Sequence, residues 1–305
     1  MVSIIIPTYK RPDRLLKALN SVINQTYKDI EILVIDDDPE KNELPELLNT
    51  KYDKIRYFKN ERKKGANGAR NTGIIHAKGS FIAFLDDDDE WFSEKLDIQL
   101  GRTSLLDGEW AGCYCGWITD KKSYTTGLSG NLLIPFLEGK IETGSSSTLL
   151  FKKEVIDQVG FWDEELIRHQ DWDYMVRVFL RFKFCFIEQP LVIVNGHNFP
   201  SFNIAKQANE MYLNKIKTLI IEVPQTTFNV FMANRYRDIA ALAAINGKLS
   251  EAVHYTRKST FYKTLSPYGY SKMALYLLNA KTFRTQFGGY KSYMHKIYSA
   301  DGSNN

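Results

Sequence analysis

Cysteine is scarce in this chain of 305 residues, which contains only three. Cys113, Cys115 and Cys185 are too few for a disulfide framework or for a structural zinc site. We therefore expect a protein of a reducing compartment, the cytoplasm. The length is that of one large domain or of two domains of moderate size.

Long apolar runs are also absent. No stretch of about 18 consecutive apolar residues occurs, so the sequence predicts no transmembrane helix. The first seven residues, Met-Val-Ser-Ile-Ile-Ile-Pro, show neither a basic leader nor a small-residue cleavage site, and we expect no signal peptide. The chain is nevertheless 44% hydrophobic and 25% charged, which is enough for a buried core and argues against a disordered protein.

Acidic residues are rare only in the last part of the chain. From residue 250 onward there are eight Lys and Arg against two Asp and Glu, a net charge of +6. The whole chain carries +4, so the positive charge is concentrated in this last part. The same stretch contains eleven aromatic residues, from Tyr255 to Tyr298. Anionic lipid headgroups and nucleic acid are both partners that such a surface could bind.

Four consecutive aspartates, Asp86 to Asp89, follow the apolar run at 81–85. Like charges this close repel one another by about 1 kcal/mol per pair in water, and by more near a protein surface. A divalent cation that bridges to substrate phosphates would relieve the repulsion, because Mg²⁺ is usually held by one or two carboxylates plus phosphate oxygens. The alternative is a solvated acidic loop after a strand.

Strand and helix patterns alternate over the first 90 residues. Hydrophobic periodicity predicts strands at 2–6, 30–35, 55–58 and 81–85, and helices at 14–23, 44–48 and 66–77. Such an order predicts βαβ units in a parallel sheet, with ligands bound beyond the carboxyl ends of the strands. The segments 7–9, 36–38 and 86–89 occupy those ends, so we expect two acidic strand ends to converge on a metal–nucleotide site.

The remainder of the chain is less regular up to about residue 200 and helical beyond it. The pattern predicts strands at 145–151 and 184–194 and a helix at 171–182. Helices at 229–246 and 249–262, joined by Gly247, predict a helical hairpin. We expect a domain at 1–203, with a nucleotide-binding half at 1–95 and an acceptor half at 96–203, and a helical region at 204–305.

Seven ordered segments give this sequence a resemblance to a known family; they lie at 2–9, 21–27, 31–37, 68–73, 79–89, 159–166 and 170–173. They include Val-Ser-Ile-Ile-Ile-Pro-Thr-Tyr, Gly-Ala-Arg-Asn-Thr-Gly and Gln-Asp-Trp-Asp. With them the N-terminal 200 residues resemble the family 2 glycosyltransferases of bacterial cell-surface polysaccharide synthesis, which are inverting enzymes. The resemblance implies the α/β GT-A fold of nucleotide-diphospho-sugar transferases, a Rossmann-like mixed, mostly parallel sheet flanked by helices, with a C-terminal helical appendage.

The resemblance also implies which residues bind the nucleotide. Asp37 matches the carboxylate that hydrogen-bonds uracil, Pro7 and Tyr9 match residues that line the base pocket, and Arg70 matches a residue near the base and phosphates. Asp36 either assists Asp37 or only caps the turn. Tyr9 could equally be a surface aromatic, and Arg70 a helix-face arginine paired with a surface carboxylate.

The acidic cluster matches the family pattern Asp-x-Asp-Asp, with Asp87 at the variable position. The resemblance implies that Asp88 ligates a Mn²⁺ or Mg²⁺ ion and that Asp86 reaches the ribose or the metal shell, and Asp87 is assigned to the donor site with it. We expect Asp89 to hydrogen-bond a neighbouring loop. His197 matches a position where relatives can place a second metal ligand; the alternative is a solvated loop histidine.

Asp171 matches the catalytic base of the family. Where the family commonly has Glu-Asp, this chain has Gln170-Asp171, and the missing negative charge should leave Asp171 easier to ionise. Asp171 would also make a good helix N-cap, and Asp173 a first-turn acid that complements the helix dipole. Gln170 and Trp172, which adjoin the base, are assigned to the acceptor.

All five tryptophans lie between residues 91 and 172 and either pack in the core or stack on sugars. The loop at 144–147 could help to shape the acceptor cleft.

The resulting hypothesis is a metal-dependent inverting glycosyltransferase. It moves a sugar, of hexosyl or N-acetylhexosaminyl type, from a UDP-sugar to a hydroxyl of a saccharide or lipid-linked saccharide in cell-envelope glycan synthesis. We expect a cytoplasmic enzyme whose basic C-terminal helices either contact the inner membrane face or serve for packing, including a homodimer. Only the tail supports nucleic-acid binding, and we do not expect it.

Two other functions stay open. A sugar nucleotidyltransferase would share the sheet, the carboxylates and the metal, but it normally has a glycine-rich loop after the first strand. The segment Pro-Thr-Tyr-Lys-Arg-Pro at 7–12 contains no glycine. A non-catalytic module that binds nucleotide sugars is the other alternative, and a candidate base at Asp171 argues against it.

Overall fold

A computed structural model of the chain describes residues 1–38, 48, 55–120, 122–195 and 201–264. The chain divides into two compact units, one formed by Met1–Leu133 with Ile141–Gly196 and the other by Ile134–Lys140 with His197–Asn305. The predicted boundary after residue 203 lies close to this division. Most of the predicted helix at 44–48 lies outside the described residues.

A mixed sheet forms the centre of the first unit. Its described strands are β1 (Val2–Thr8), β2 (Ile30–Asp36), β3 (Ile55–Lys59), β4 (Phe81–Phe84), β5 (Glu90–Trp91), β6 (Trp110–Ile118), β7 (Ser123–Tyr124), β8 (Leu149–Lys152) and β9 (Lys183–Ile193). They are arranged in the order β3-β2-β1-β4-β8-β6-β9-β5, with β7 on β6. Parallel pairings carry more residues than antiparallel ones. The predicted α/β sheet is confirmed.

The first four strands are parallel and end at one edge of the sheet. Thr8 at the end of β1 pairs with Asp36 at the end of β2, and the amide of Leu85 beyond β4 donates to the carbonyl of Ile5 at 3.0 Å. This register brings the acidic segments at 36–38 and 86–89 to the same edge, as the sequence predicts. Their proximity therefore follows directly from the strand pairing.

The helices of the first unit cover the sheet. They are α1 (Pro12–Ile23), α2 (Ala66–His76), α3 (Lys95–Thr103), α5 (Lys153–Val159) and α6 (Gln170–Phe179); the short α4 (Leu133–Leu137) belongs to the second unit except for Leu133. Leu15, Leu19 and Val22 bury one face of α1 in the core. On α2, a Cβ at Gly73 would lie 2.4 Å from the side chain of Ile5, so only glycine allows α2 to approach β1 this closely. That approach fixes α2, which carries Arg70.

Two elements of the middle region differ from the sequence-based expectation. The strand β6 has no counterpart in the prediction, because its residues 111–117 are all buried and show no alternation of apolar and polar side chains. The strand predicted at 145–151 is wrong in its first half, where Ser146–Thr148 form a 3₁₀ turn before β8. The hydroxyl of Ser145 accepts the amide of Ser147, and such local bonds compete with strand pairing.

The described part of the second unit consists mainly of α7 (Phe202–Leu219), α8 (Gln225–Ile245) and α9 (Leu249–Tyr262). The predicted hairpin is confirmed: α8 and α9 flank Gly247, whose φ of 71° favours glycine. The hydroxyl of Ser259 donates to the carbonyl of Ala233 at 2.9 Å and joins the two helices. Over the described residues, no helix is both long enough and apolar enough to cross a membrane.

Candidate functional site

The acidic cluster lies directly beyond β4 and is tied to the end of β1. The hydroxyl of Thr8, the last residue of β1, donates to Asp87 Oδ2 at 2.9 Å. Asp87, Asp88 and Asp89 are all buried, and Asp86 is only partly exposed. Burial raises the pKa of the Asp87 carboxyl, against the hydrogen bond of Thr8 and the charge of Arg11. The alternative of a solvated acidic loop is therefore wrong.

Asp86 is paired with a buried guanidinium. Arg70 Nη2 donates to Asp86 Oδ1 at 2.6 Å and lies 3.1 Å from Ser146 Oγ, while its Nη1 donates to Asn67 Oδ1 at 3.3 Å. The arginine is 3% exposed, and its guanidinium lies 4.9 Å from the ring centre of Trp162. The alternative of an exposed helix-face arginine with a surface carboxylate is wrong; Arg70 belongs to the acidic site.

Asp89 is held by hydroxyls and an amide. Ser147 Oγ donates to Oδ2 of Asp89 at 2.7 Å, and Ser145 Oγ donates to the same oxygen at 2.9 Å. The backbone amide of Asn195 donates to Oδ1 at 3.0 Å. The predicted contact of Asp89 with a loop is confirmed. Burial and the charge of Asp86 raise the pKa of Asp89 to about 7, because hydroxyls compensate a buried charge less well than cations do.

Asp87 and Asp88 are paired with two arginines from the start of α1. Arg11 Nη1 donates to Asp87 Oδ1 at 3.3 Å and to Asp88 Oδ2 at 3.2 Å. Arg14 Nη1 donates to the same Asp88 Oδ2 at 3.3 Å. Positive charge is thus concentrated at one oxygen of Asp88.

The donor atoms of the cluster fit a hard divalent cation. Asp88 presents a carboxylate oxygen that already attracts two positive groups, and Asp86 lies two residues away at the same strand end. Within the part of the chain that the structure describes, no set of three or more His, Cys, Asp or Glu side chains could hold a metal ion unaided. A cation here would complete its ligand set from donor phosphates and water, as Mg²⁺ commonly does.

Asp37 and Asp36 take different environments at the end of β2. Asp37 accepts the amide of Gly65 at 2.9 and 3.0 Å and Asn60 Nδ2 at 2.6 Å. Asp36 is fully buried, where it accepts the hydroxyl of Tyr57 at 2.7 Å and the amide of Asp38 at 3.0 Å. This is the turn-capping arrangement for Asp36. A contact of either carboxylate with uracil stays a prediction.

The two residues assigned to the base pocket lie at and beyond the end of β1. Pro7 is buried within the strand and pairs with Ile35. Tyr9 is 43% exposed, and its ring centre lies 5.3 Å from Lys10 Nζ and 5.1 Å from Lys64 Nζ. An exposed ring flanked by two ammonium groups is suited to stack on a base whose phosphates lie nearby. Base binding by Pro7 and Tyr9 stays a prediction.

Asp171 lies in the first turn of α6, and the interpretation of Asp171 as the helix cap is wrong. The helix begins at Gln170, and the preceding residue, His169, takes a left-handed conformation with a φ of 61°. Asp173 forms an ion pair with Arg177 at 2.9 Å within the same helix. Asp171 and Asp173 thus both lie in the first turn of α6, at the positive end of the helix dipole, as the sequence predicts for Asp173.

Asp171 and the acidic cluster act on one guanidinium. Burial alone would lower the pKa of Arg70, but the charges of Asp86, Asp171 and Asp89 outweigh it and raise that pKa. The charge of the candidate base thus acts on the guanidinium that is bonded to Asp86. The role of Asp171 as the base stays a prediction. The assignment of Gln170 and Trp172 to the acceptor stays a prediction; the Trp172 ring lies 5.1 Å from that of His169.

Three tryptophans, Trp91, Trp117 and Trp162, are buried and so pack in the core. Trp91 also helps to position the serine loop, because its Nε1 donates to the carbonyl of Ser147 at 2.9 Å. His197, the predicted second metal ligand, lies outside the described residues.

Several site residues escape the sequence analysis. Arg11 and Arg14 could have been recognised only by their spacing, because they lie one helical turn apart shortly after β1. The serines at 145–147 stand out in the sequence as a possible wall of the acceptor cleft, whereas the structure places their hydroxyls on Asp86 and Asp89. Asn195 carries no signal, since its bond to Asp89 joins residues far apart in the chain.

A family model described as "Glycosyl transferase family 2" matches residues 3–157, about half of the chain. The chain belongs to glycosyl transferase family 2. The match contains the strand ends at 7–9, 36–37 and 86–89 and the serine loop, but it ends before Asp171. The predicted membership of the family is confirmed.

Two relatives share substantial sequence with the chain. The chain is 44% identical over 100 residues to the UDP-Glc:alpha-D-GlcNAc-diphosphoundecaprenol beta-1,3-glucosyltransferase WfgD of Escherichia coli. The matched region covers 33% of this chain and 40% of WfgD. It is 31% identical over 204 residues to the amylovoran biosynthesis glycosyltransferase AmsB of Erwinia amylovora, covering 62% of this chain and 67% of AmsB. The chain thus spans less than half the length of WfgD and two thirds that of AmsB.

Solved structures confirm the GT-A fold. The mannosyltransferase PcManGT from Pyrobaculum calidifontis, in complex with GDP-Man and Mn²⁺, has a TM-score of 0.58 at 15% identity, covering 98% of this chain and 85% of that one. TarS 1-349 from S. aureus, in complex with UDP-GlcNAc, has a TM-score of 0.55 at 14% identity, covering 85% and 90%. At these identities the likeness concerns the fold alone.

Replacement of Ser147 by alanine should destabilise the protein by about 1–3 kcal/mol. The variant removes a donor from buried Asp89 and an acceptor from the amide of Asp86, at 2.7 and 3.1 Å. Urea unfolding at pH 8 measures the loss. Ser123→Ala, at an exposed serine of β7, is the control. Equal free energies of unfolding for Ser147→Ala and the wild-type protein would contradict this account of the loop.

Proposed function

We propose that the protein transfers a sugar from a nucleotide-sugar donor to an acceptor hydroxyl, with inversion at the anomeric carbon. The observation that carries the proposal is the position of Arg70, which is bonded to Asp86 and also influenced by the charge of Asp171. From this we infer that the candidate metal site and the candidate base are parts of one site. A fold and family shared with glycosyltransferases support the same conclusion.

Each part of the site has a task in this reaction. A divalent cation, Mn²⁺ or Mg²⁺, supplies Lewis-acid neutralisation of the leaving diphosphate when it is bound. Asp88 would hold it, and Asp86 would hold the ribose or the metal's outer shell. Asp171 accepts the proton of the acceptor hydroxyl as that oxygen attacks the anomeric carbon. Attack from the face opposite the leaving group inverts the configuration, and no covalent intermediate on the protein is needed.

The donor is proposed to be a UDP-sugar. Asp37 carries this proposal, because the resemblance gives it to the uracil ring and its carboxylate is held rigidly by the Gly65 amide. The name of WfgD includes UDP-Glc, and TarS was solved with UDP-GlcNAc, which supports a uridine donor of hexosyl or N-acetylhexosaminyl type. PcManGT, which was solved with GDP-Man, represents the alternative base.

The acceptor is proposed to be a saccharide, free or lipid-linked, in the synthesis of a cell-envelope polysaccharide on the cytoplasmic side of the membrane. The name of WfgD includes a diphosphoundecaprenol-linked sugar, and AmsB is named for amylovoran biosynthesis. A nucleotidyltransferase is less well supported, because the loop after β1 lacks glycine. A non-catalytic binding module would not require a candidate base such as Asp171, whose charge acts on Arg70.

The helical region of the second unit has features of both roles considered for it. An alanine-rich core joins α8 and α9, which supports a packing module. On the opposite face of α9, Val253 and the 84% exposed Phe261 lie on either side of Arg257 at intervals of four residues. An exposed apolar stripe with a cation suits the interface of an anionic membrane. We propose peripheral membrane contact through this stripe.

Nucleotide binding should depend on metal. We expect UDP with Mn²⁺ to raise the melting temperature by several degrees, because a ligand at a hundred times its Kd stabilises the native state by about 2.7 kcal/mol. A thermal-shift panel of UDP, GDP, dTDP and CMP, with and without Mn²⁺ or Mg²⁺, measures it, and Asp88→Asn should lose the metal dependence. A shift in melting temperature with GDP alone would mean that the donor is a GDP-sugar and not a UDP-sugar. No shift with any nucleotide would contradict the proposal.

Asp171→Asn should abolish transfer yet bind UDP as the wild type does, because the amide cannot take the acceptor proton. Sugar transfer and isothermal titration with UDP and Mn²⁺ measure the two properties separately. Asp157→Asn, at an exposed carboxylate of α5, is the matched control. Transfer at the wild-type rate in Asp171→Asn would show that another group is the base.

Val253→Ser with Phe261→Ser should weaken binding to anionic liposomes at least several-fold, because both apolar anchors of the α9 stripe are lost. Sedimentation with vesicles that contain phosphatidylglycerol measures it, and vesicles of phosphatidylcholine alone show the contribution of charge. Ser250→Ala, on the same exposed face, is the control. Undiminished sedimentation of the double variant would leave only the packing role.

A further inference from the structure

We propose that Arg11 and Arg14 are exchangeable counter-ions of the acidic cluster. In the nucleotide-free protein they neutralise Asp87 and Asp88, and when a divalent cation and the donor bind together they move to the donor's diphosphate. The two arginines thus become donor-binding residues and make the cation and the nucleotide bind cooperatively. The inference rests on the proposed function, since it requires a diphosphate donor and a cation at Asp88.

The contacts place both guanidiniums where the cation would bind. Asp88 Oδ2 lies 3.2 Å from Arg11 Nη1 and 3.3 Å from Arg14 Nη1, and Arg11 also reaches Asp87 Oδ1 at 3.3 Å. The Asp88 side chain is only 3% exposed, while those of Arg11 and Arg14 are 48% and 57% exposed. The arginines therefore cover the carboxylates from the solvent side, which is the side a ligand enters.

Arg11 and Arg14 are anchored differently from Arg70. Arg70 is buried, has Asn67 and Ser146 as further partners and lies against the Trp162 ring, so its position is fixed. Among the residues that the structure describes, the side chains of Arg11 and Arg14 hydrogen-bond to the two carboxylates alone, at the long end of the hydrogen-bond range. Their backbone is held by α1, whose buried face packs in the core. The side chains can swing while the helix stays in place.

The divalent cation and the two guanidiniums therefore compete electrostatically for Asp88. A dication at Asp88 Oδ2 would lie within a few ångströms of two positive charges, which strongly disfavours all three at one oxygen. A diphosphate beside the same carboxylates offers the arginines new anionic partners, and guanidinium binds phosphate with paired hydrogen bonds. The cation alone must displace the arginines without replacement, whereas the cation with the diphosphate gives them a new partner.

The consequence is a positive coupling between the two ligands. By linkage, each ligand raises the affinity of the other by the same factor, which is commonly about 5- to 150-fold. Loss of both guanidiniums should make Mn²⁺ alone bind more tightly, because its competitors are gone. The same loss should make UDP bind more weakly in saturating Mn²⁺, because two phosphate contacts are gone. A purely structural role for the arginines would not produce opposite effects on the two ligands.

The experiment compares wild-type protein with Arg11→Gln, Arg14→Gln and the double variant. Isothermal titration with MnCl₂ alone, and then with UDP in saturating Mn²⁺, gives the two affinities. Lys17→Gln is the matched control, since it removes an exposed cation one turn further along α1 that is not paired with Asp87 or Asp88. Arg11→Lys with Arg14→Lys, which keeps the charges, covers the case in which the double glutamine variant fails to fold.

We expect the double glutamine variant to bind Mn²⁺ at least about fivefold more tightly and UDP at least about fivefold more weakly, with Lys17→Gln unchanged. The lysine pair should keep the weak Mn²⁺ affinity but bind UDP less tightly, because it loses the paired bonds to phosphate. Unchanged or weakened Mn²⁺ affinity in the glutamine variants, with normal binding by the wild type, would overturn the inference alone. Absence of Mn²⁺-dependent UDP binding in the wild type would overturn the proposed function as well.

Discussion

Repulsion among the four carboxylates beyond β4 is the constraint on which the rest of the site depends. The four carboxylates are stabilised in three different ways: Asp86 by the buried Arg70, Asp87 and Asp88 by the half-exposed Arg11 and Arg14, and Asp89 by serine hydroxyls and a backbone amide. These partners come from α1, α2, the loop before β8 and the end of β9. Neutralising one tetrapeptide therefore fixes how several parts of the first unit meet.

The sheet topology delivers these partners to one place. Parallel pairing of β1 with β2 and β4 aligns their carboxyl ends, so Thr8 can bond Asp87 and α1 can begin beside the cluster. The antiparallel β8 runs away from the cluster on the other side of β4, which places the 3₁₀ turn before it against Asp86 and Asp89. A mixed sheet thus surrounds the strand end from both sides, which a purely parallel sheet with long crossovers would not do as directly.

Whether a feature of the site could be predicted from the sequence depends on how far apart in the chain its interacting residues lie. The strand ends of β1, β2 and β4 follow from local patterns, and parallel pairing alone makes them converge. The partners of the carboxylates depend on contacts such as Ser147 with Asp89 or Arg11 with Asp88, between residues far apart in the chain, for which no local pattern exists. The strand β6 was missed for the opposite reason: its complete burial removes the alternation that identifies a strand.

Four identical residues in a row thereby acquire three different chemical characters. Asp89, whose donors among the described residues are all neutral, has a pKa raised to about 7 and holds the loop before β8 in place. Asp86 is paired with the buried Arg70, so its charge is compensated from within the protein. Only Asp87 and Asp88 face cations on flexible, half-exposed side chains. A ligand can exchange the counter-ion of these two residues without breaking the packing around the other two, which is why the exchange is confined to the middle of the cluster.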